Sequence, residues 1–331
     1  MSDHRRADAR ILQNVLVEEL VGNKDKLESL FRDVSTAEFG RFQSSRVLRV
    51  PNQQDMRLDD VMLSLWTLDL PFALLVRSNE KESAFWLLVE STANEQDGRT
   101  ETVDAVEAIF QSKCPGLIFD PPNSARASRE LLATAGRSTE YGAMLTGIPT
   151  RRSRQIDEIL RSMRGEDCWY LVVAMPLRRD VLQETEQILM EEIGSLMASG
   201  DPNEGEADMD RDPYLRESVR GLSIDLERVR LGETSGMWNV SVYVGASSGS
   251  GYAKLAAIMK GSLTGPKSFP EPIRITSVEG DLLVALRQLV EHPAVLILRS
   301  APDSIGIFTS PSLRTPMTSE ELAIVSGFPD E

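Results

Sequence analysis

The chain has 331 residues, and 36 basic against 51 acidic side chains give a formal net charge of −15. At roughly 150 residues per domain this length predicts about two domains, and the acidic balance argues against a protein that coats nucleic-acid phosphates. With two cysteines and two histidines, the chain lacks the spaced nitrogen and sulfur ligands of a zinc site. It also contains no apolar run of about 20 residues and no apolar signal segment, which predicts a cytoplasmic protein without an integral membrane segment.

The first part of the chain is predicted to begin with a helical segment, residues 1–44, followed by a small domain at 45–122. Within this domain, strand and helix patterns alternate in the order β-α-β-β-α-β. The strands are predicted at 46–50, 71–78, 83–91 and 117–120, and the helices at 58–68 and 102–113. This order is typical of a ferredoxin-like domain, in which two helices cover one face of an antiparallel sheet.

Residues 123–165 are predicted to form an arginine-rich connector, with one helix near 126–135 and a basic amphipathic helix at 151–164. Between 126 and 164 there are eight arginines and four acids, a local charge of +4 in an acidic chain. Guanidinium groups match phosphates and carboxylates. Two interpretations stay open: a solvated face, or a docking surface for nucleic acid or an acidic partner. The candidate docking residues are Arg151, Arg152, Arg154, Arg161 and Arg164.

Residues 166–331 are predicted to form a second α/β domain with a long helical hairpin at 178–231. In its two helices, apolar side chains recur at intervals of three and four residues, the spacing of an antiparallel pair packed like a short coiled coil. The acidic segment between the helices is expected to be a solvated loop. One apolar seam is a candidate surface for a partner helix, and it consists of Leu215, Val219, Leu222, Leu226 and Val229.

The remaining elements of this second domain are shorter. A buried strand is predicted at 167–177, before the hairpin. After it, strands are predicted at 237–246, 272–278 and 294–300, and helices at 251–261 and 282–292. The fold class predicted for the whole chain is therefore mixed α/β.

Two segments partly match known ligand-binding motifs, but each departs from its motif at a required position. Residues 261–268 resemble a P-loop, but Pro266 precedes the lysine and has no N–H to offer a phosphate. The acids that begin at Asp208 have the opening spacing of a calcium loop, but Pro213 and Val219 stand where glycine and glutamate belong. We therefore expect no catalytic residue, metal or cofactor in this chain, and we rank a conventional enzyme last.

The histidines and cysteines do not suggest a catalytic centre either. His4 lies near the amino terminus, and His292 precedes a proline at the predicted end of a helix, where the helix dipole suits a histidine. Cys114 and Cys168 are expected to be separate, buried or half-buried thiols of a reducing compartment.

Four stretches resemble one protein family: residues 145–177, 235–246, 261–274 and 315–331. The last contains MTSEELA at 317–323, in which Thr318 or Ser319 is predicted to cap a helix, followed by Phe328-Pro329. Together they resemble the region upstream of the P-loop in bacterial HerA- and FtsK-like pumping ATPases, including the ATPases of conjugative secretion. In that family the corresponding segment leads into a hexameric RecA-like motor that moves DNA or protein.

The resemblance implies a non-catalytic N-terminal module that docks partners or assists assembly, because the sequence contains no Walker A lysine. The motor would be a missing downstream part or a separate chain. The expected partners are other proteins or further copies of this chain, with nucleic acid reached through the parent complex. Two alternatives stay open: a stand-alone adaptor that uses the hairpin, and a nucleic-acid-binding module that uses the arginines between 126 and 164.

Overall fold

In the described part of the chain, nine strands form one antiparallel sheet flanked by helices. This computed structural model describes residues 41–50, 56–79, 82–91, 101–123, 125–150, 155–198, 213–265, 273–280, 314–328 and positions 283, 284, 286, 287 and 290. The mixed α/β class predicted from the sequence is confirmed. The predicted helices of the first 40 residues, the acidic loop and the strand at 294–300 lie outside the described residues.

The first six elements occur in the predicted order, and their strands pair in the order β4-β1-β3-β2. The first strand begins at Arg41, so the assignment of 41–44 to the helical segment 1–44 is wrong, because these residues extend the ladder with the third strand from Arg41↔Ser91. All three pairings are antiparallel. The elements are β1 (Arg41–Arg49), α1 (Leu58–Thr67), β2 (Phe72–Ser78), β3 (Ser83–Ser91), α2 (Glu101–Lys113) and β4 (Ile118–Phe119). The assignment of this part to the ferredoxin-like class stays a prediction.

Helix α3 (Ala125–Arg137) connects these elements to the second half of the sheet, where the strands pair in the order β6-β7-β5-β8. A pair of long helices separates β6 from β7. The elements are β5 (Tyr141–Thr146), α4 (Gln155–Met163), β6 (Cys168–Pro176), α5 (Arg179–Ala198), α6 (Pro213–Ser235), β7 (Met237–Ala246), α7 (Gly249–Leu263) and β8 (Arg274–Val278).

The two halves of the sheet have the same strand order. In each half the first strand lies between the third and fourth, and the third lies beside the second. A helix connects the first strand to the second and the third to the fourth, and after the fourth strand the chain is helical, in α3 and in the described positions from 283 to 290. The chain therefore contains a structural repeat, in which α5 and α6 occupy the place of the short β2–β3 connection.

The two repeats meet at the centre of the sheet, where β2 pairs antiparallel with β6 from Phe72↔Ala174 to Ser78↔Cys168. Domain boundaries are predicted from the sequence at 122 and 166, but strands from both sides of these boundaries share this ladder and the same hydrophobic core cluster.

Both faces of the sheet are covered. The larger core lies on the face that carries α1, α2, α4 and α7, and a smaller core lies on the face that carries α3. Side chains alternate between them, so that Leu74 faces the larger core and Leu75 the smaller. Burial on both faces explains why β6 is almost continuously apolar.

Strand β5 was not predicted, and its small residues explain why. At Gly142 an added Cβ would lie 2.5 Å from Cδ2 of Leu286. Glycine at this position lets the helical positions near Leu286 lie close to β5. The strand was missed because it lacks the run of branched and aromatic side chains that is typical of strands.

Candidate interaction site: the helical arm and the tail that anchors it

Helices α5 and α6 form an arm that leaves the sheet and returns to it at the same place. Pro176 at the end of β6 pairs with Trp238 at the start of β7, so the two helices run antiparallel and contact each other. With 20 and 23 residues, they are about 30 and 35 Å long at 1.5 Å per residue. This confirms the predicted hairpin.

The base of the arm is packed on the fold. On α5, Leu182 and Leu189 are buried, and on α6 Val229 is completely buried in the larger core. Leu222 and Leu226 pack against the same core and are half-buried. The seam proposed from the sequence is therefore an internal contact at its base, and a partner helix cannot reach Val229.

The two seam residues nearer the tip, Leu215 and Val219, are half-buried. Neither belongs to the hydrophobic core of the fold. Helical periodicity detected the apolar stripe correctly, but it does not distinguish a stripe covered by the protein's own elements from one that is open to a partner.

A different side of the arm is open. Met190 and Met197 on α5 are 50% and 55% exposed, and with Glu186 they lie on one side of the helix because their spacing is four and seven residues. Arg230 of α6 joins this side: its Nε donates to Glu186 Oε1 at 2.6 Å, and its Nη2 lies 3.6 Å from Met190 Sδ. We call this surface, defined by Glu186, Met190, Met197 and Arg230, the methionine side.

The base of the arm is held by the tail of the chain, which forms β9 (Thr315–Thr318) and α8 (Ser319–Val325). Strand β9 pairs with β7 over Met237–Val240, next to the stretch of β7 that pairs with β5. The amide of Gly147, just after β5, donates to Thr315 Oγ1 at 2.9 Å. The tail therefore continues the line of β5 and completes the ladder along β7.

Helix α8 begins at the predicted cap, and of the two candidates Thr318 is the capping residue, in a complete capping box with Glu321. The amide of Glu321 donates to Thr318 Oγ1 at 3.3 Å, and the amide of Thr318 donates to Glu321 Oε2 at 2.8 Å. This Glu321 carboxylate also pairs with Arg228 of α6, whose Nη2 lies 2.9 Å from Oε2. Arg228 in addition donates to the carbonyl oxygen of Pro316 at 2.5 Å.

Tryptophan side chains fix the point where the arm meets the sheet. Trp238 Nε1 donates to Ser319 Oγ at 3.2 Å, and the amide of Ser319 donates to the carbonyl of Gly236 at 3.0 Å. Trp66 of α1 donates from Nε1 to the carbonyl of Leu177 at 2.7 Å, just before α5. The arm base therefore contacts the tail and the first repeat.

The end of the described tail lies in the core between the repeats. The hydroxyl of Tyr170, in β6, donates to the carbonyl of Val325 at 2.7 Å, and burial raises the pKa of Tyr170 above its ordinary value. Phe328 packs against Phe85 and Phe110 of the first repeat, with ring centroids 6.3 and 6.1 Å apart.

The described arginines between 126 and 164 lie on two faces of the sheet. Arg161 and Arg164 are exposed at the end of α4, which packs on the larger core, whereas α3 with its arginines packs on the opposite face of the sheet. Arg151, Arg152 and Arg154 lie outside the described residues. The described arginines between 126 and 164 therefore do not lie together on a single docking surface.

The two cysteines are free and buried, as expected. Burial raises the pKa of Cys114 to about 11 and that of Cys168 to about 12, so both thiols stay protonated at neutral pH. His4 and His292 lie outside the described residues. Among the residues that the structure describes, no group of three or more histidine, cysteine or acidic side chains is arranged to hold a metal ion.

Comparison with known proteins finds no family model that matches the chain and no curated protein that matches it. Within the described ranges, none of the helices combines the length and the apolar character needed to cross a bilayer.

Proposed function

We propose that this chain is a non-catalytic module that docks and assembles partners for a HerA/FtsK-like ATP-dependent translocase, and that the methionine side of the arm is its docking surface. The observation that carries the proposal is the asymmetry of the arm. One side is fixed on the fold through Val229 and Arg228, while Met190 and Met197 are about half exposed on another side. Methionine side chains are flexible and polarisable, which suits a surface that adapts to a protein partner.

The link to a translocase is supported by the tail. The MTSEELA segment, which resembles the lead-in to a P-loop motor, forms β9 and the capped start of α8. It is bonded to the base of the arm through Glu321 and Ser319. A motor that follows this segment would thus be tied to the element that we propose as the docking surface.

A stand-alone adaptor is the second candidate, because the same exposed side of the arm would serve it equally well. The two candidates differ in the partner. A translocase module associates with a chain that contains G-x-x-x-x-G-K-[ST], encoded in the same reading frame or by a neighbouring gene, whereas an adaptor does not need one. The nucleic-acid alternative has no comparable support, because the described arginines are divided between two faces.

The test is to purify this chain with that P-loop chain and to measure the dissociation constant and the complex mass by analytical ultracentrifugation. Met190→Glu combined with Met197→Glu is expected to weaken binding about tenfold or more, because two central apolar contacts become charged. Leu231→Glu is the matched control. Leu231 is 48% exposed, but it follows Arg230 by one residue and so points about 100° away from the methionine side.

Loss of binding in the methionine variant with the control unchanged supports the proposal. If the chain does not bind the P-loop chain but associates with itself through Met190 and Met197, the methionine side is a contact between copies of this chain and the link to a translocase fails. If neither association is sensitive to Met190 and Met197, the methionine side is not a docking surface.

A further inference from the structure

One carboxylate, that of Glu321, joins two elements far apart in sequence. It closes the capping box of α8, and it pairs with Arg228 on α6, 93 residues earlier. The side chains of Arg228 and Glu321 are 10% and 18% exposed. Removing one member of such a pair leaves the other as a largely buried charge without its counter-charge, which is strongly unfavourable. The state of the tail and the state of the arm base are therefore energetically linked.

The tail itself is seated as a separate segment. Strand β9 contributes four residues to the ladder of β7, in line with β5, which pairs with the other half of β7. If the tail left this position, Met237–Val240 would lose β9 as their ladder partner, although Trp238–Val240 would stay paired with β6. Trp238 Nε1 would lose Ser319, and Arg228 would lose Glu321. All three losses fall at the junction of α6 and β7, which is the base of the arm.

We propose that residues 314–328 form a strap whose seating fixes the base of the arm, and that displacement of the strap loosens the arm through the Arg228–Glu321 pair. A mechanical force on the chain after Phe328 would then be transmitted through the strap to the arm and its docking surface. This role rests on the proposed function, whereas the coupling between strap and arm is a property of this chain alone.

The test is hydrogen–deuterium exchange of the complete chain, measured by mass spectrometry. Glu321→Gln is expected to raise amide exchange about tenfold or more, both in the strap (315–325) and in the arm base (225–235), because both open more easily. The matched control is Glu320→Gln, which removes the same charge from the same helical turn at an exposed position. It is expected to change exchange in the arm base less than about twofold.

Coupling must also operate in the reverse direction, because a linkage between two sites is reciprocal. Arg228→Gln, a change in the arm, is therefore expected to raise exchange in the strap by about the same factor. In the double variant with Glu321→Gln, the increase is expected to be much smaller than the product of the two single increases. Arg230→Gln is the control for exchange in the strap. It removes a charge from the same helix, but Arg230 pairs with Glu186 on the outer side and not with the strap.

Two results would contradict the strap proposal. One is amide exchange that rises in 315–325 but not in the arm base, and the other is an increase in the double variant equal to the product of the two single-variant increases. Either result leaves the docking test with Met190 and Met197 unaffected, so the two proposals fail separately. If Glu321→Gln prevents folding, Arg228→Lys replaces it. Lysine keeps the charge but loses the planar fork that reaches Glu321 and Pro316 together, and the same two readings decide the question.

Discussion

Gly236 lies where the arm, the tail and α1 meet. Its φ angle is +86°, and a Cβ at this position would lie 2.5 Å from Ser319 Oγ and 3.1 Å from Trp66 Cγ. Its carbonyl also accepts the amide hydrogen of Ser319. Glycine is therefore required here both for the left-handed backbone and for the space.

Gly236→Ala is expected to lower the free energy of unfolding by about 2–4 kcal/mol, the sum of backbone strain and of overpacking against Ser319 and Trp66. Gly165→Ala is the control. Gly165 has a φ of +77°, and no atom would lie within 4 Å of its added Cβ, so only the backbone cost of about 1 kcal/mol is expected. Urea unfolding followed by circular dichroism measures both. Equal losses would show that the junction has more room than the structure gives it.

At the scale of elements, helix α6 contrasts a buried base with an open tip. Val229 is completely buried in the larger core, whereas Val219, ten residues nearer the tip, is half-buried and outside the core clusters. The apolar stripe is therefore covered by the fold at the base of the arm and only partly covered toward the tip.

Two matched substitutions measure this contrast. Val229→Ala is expected to cost about 2 kcal/mol of unfolding free energy, because two buried methyl-sized groups and their contacts are lost. Val219→Ala is expected to cost less than about 1 kcal/mol, because part of its surface already faces water. Both changes raise helix propensity equally, so the difference in urea midpoint reports packing alone. Similar costs at both positions would mean that the arm is buried along its whole length.

The elements also show what the sequence could and could not indicate. The arm, the capped helix at Thr318 and the six elements of the first repeat follow from periodicity and capping, which are local signals. Strand β5 could not be predicted, because Gly142 is there for the approach of Leu286, a contact between distant residues. Strand β9 contains Pro316, which discourages a strand assignment, and it exists because the tail completes the ladder of β7.

The candidate site was only partly predictable for the same reason. The apolar stripe from Leu215 to Val229 was predicted, but the burial of its base against the core was not, because burial depends on the whole fold. Met190 and Met197 were missed, since an exposed methionine has no periodic signal of its own. The Glu321–Arg228 pair joins residues 93 positions apart, a distance at which no local pattern is informative.

At the scale of the whole molecule, the repeat explains why the described part of the chain forms one sheet, whereas the length of the chain predicts two domains. In each repeat the second strand lies at the edge that meets the other repeat, and all seven residues of β2 pair with β6. The tail adds a second connection, because α8 packs against α1 of the first repeat while Glu321 binds Arg228 of the second. Neither half can therefore unfold without breaking the central ladder and exposing part of the common core.

We accordingly expect the two halves to unfold in one cooperative transition, with equal calorimetric and van't Hoff enthalpies in differential scanning calorimetry. Val229→Ala provides a sharper version of this test, because the substitution lies in the second half. If the halves are coupled, it lowers the hydrogen-exchange protection of β3 and of β7 by the same factor, since both strands then exchange through global unfolding. Two resolved transitions, or a β3 whose protection does not respond to Val229→Ala, would instead show that the boundaries near 122 and 166 separate independent domains.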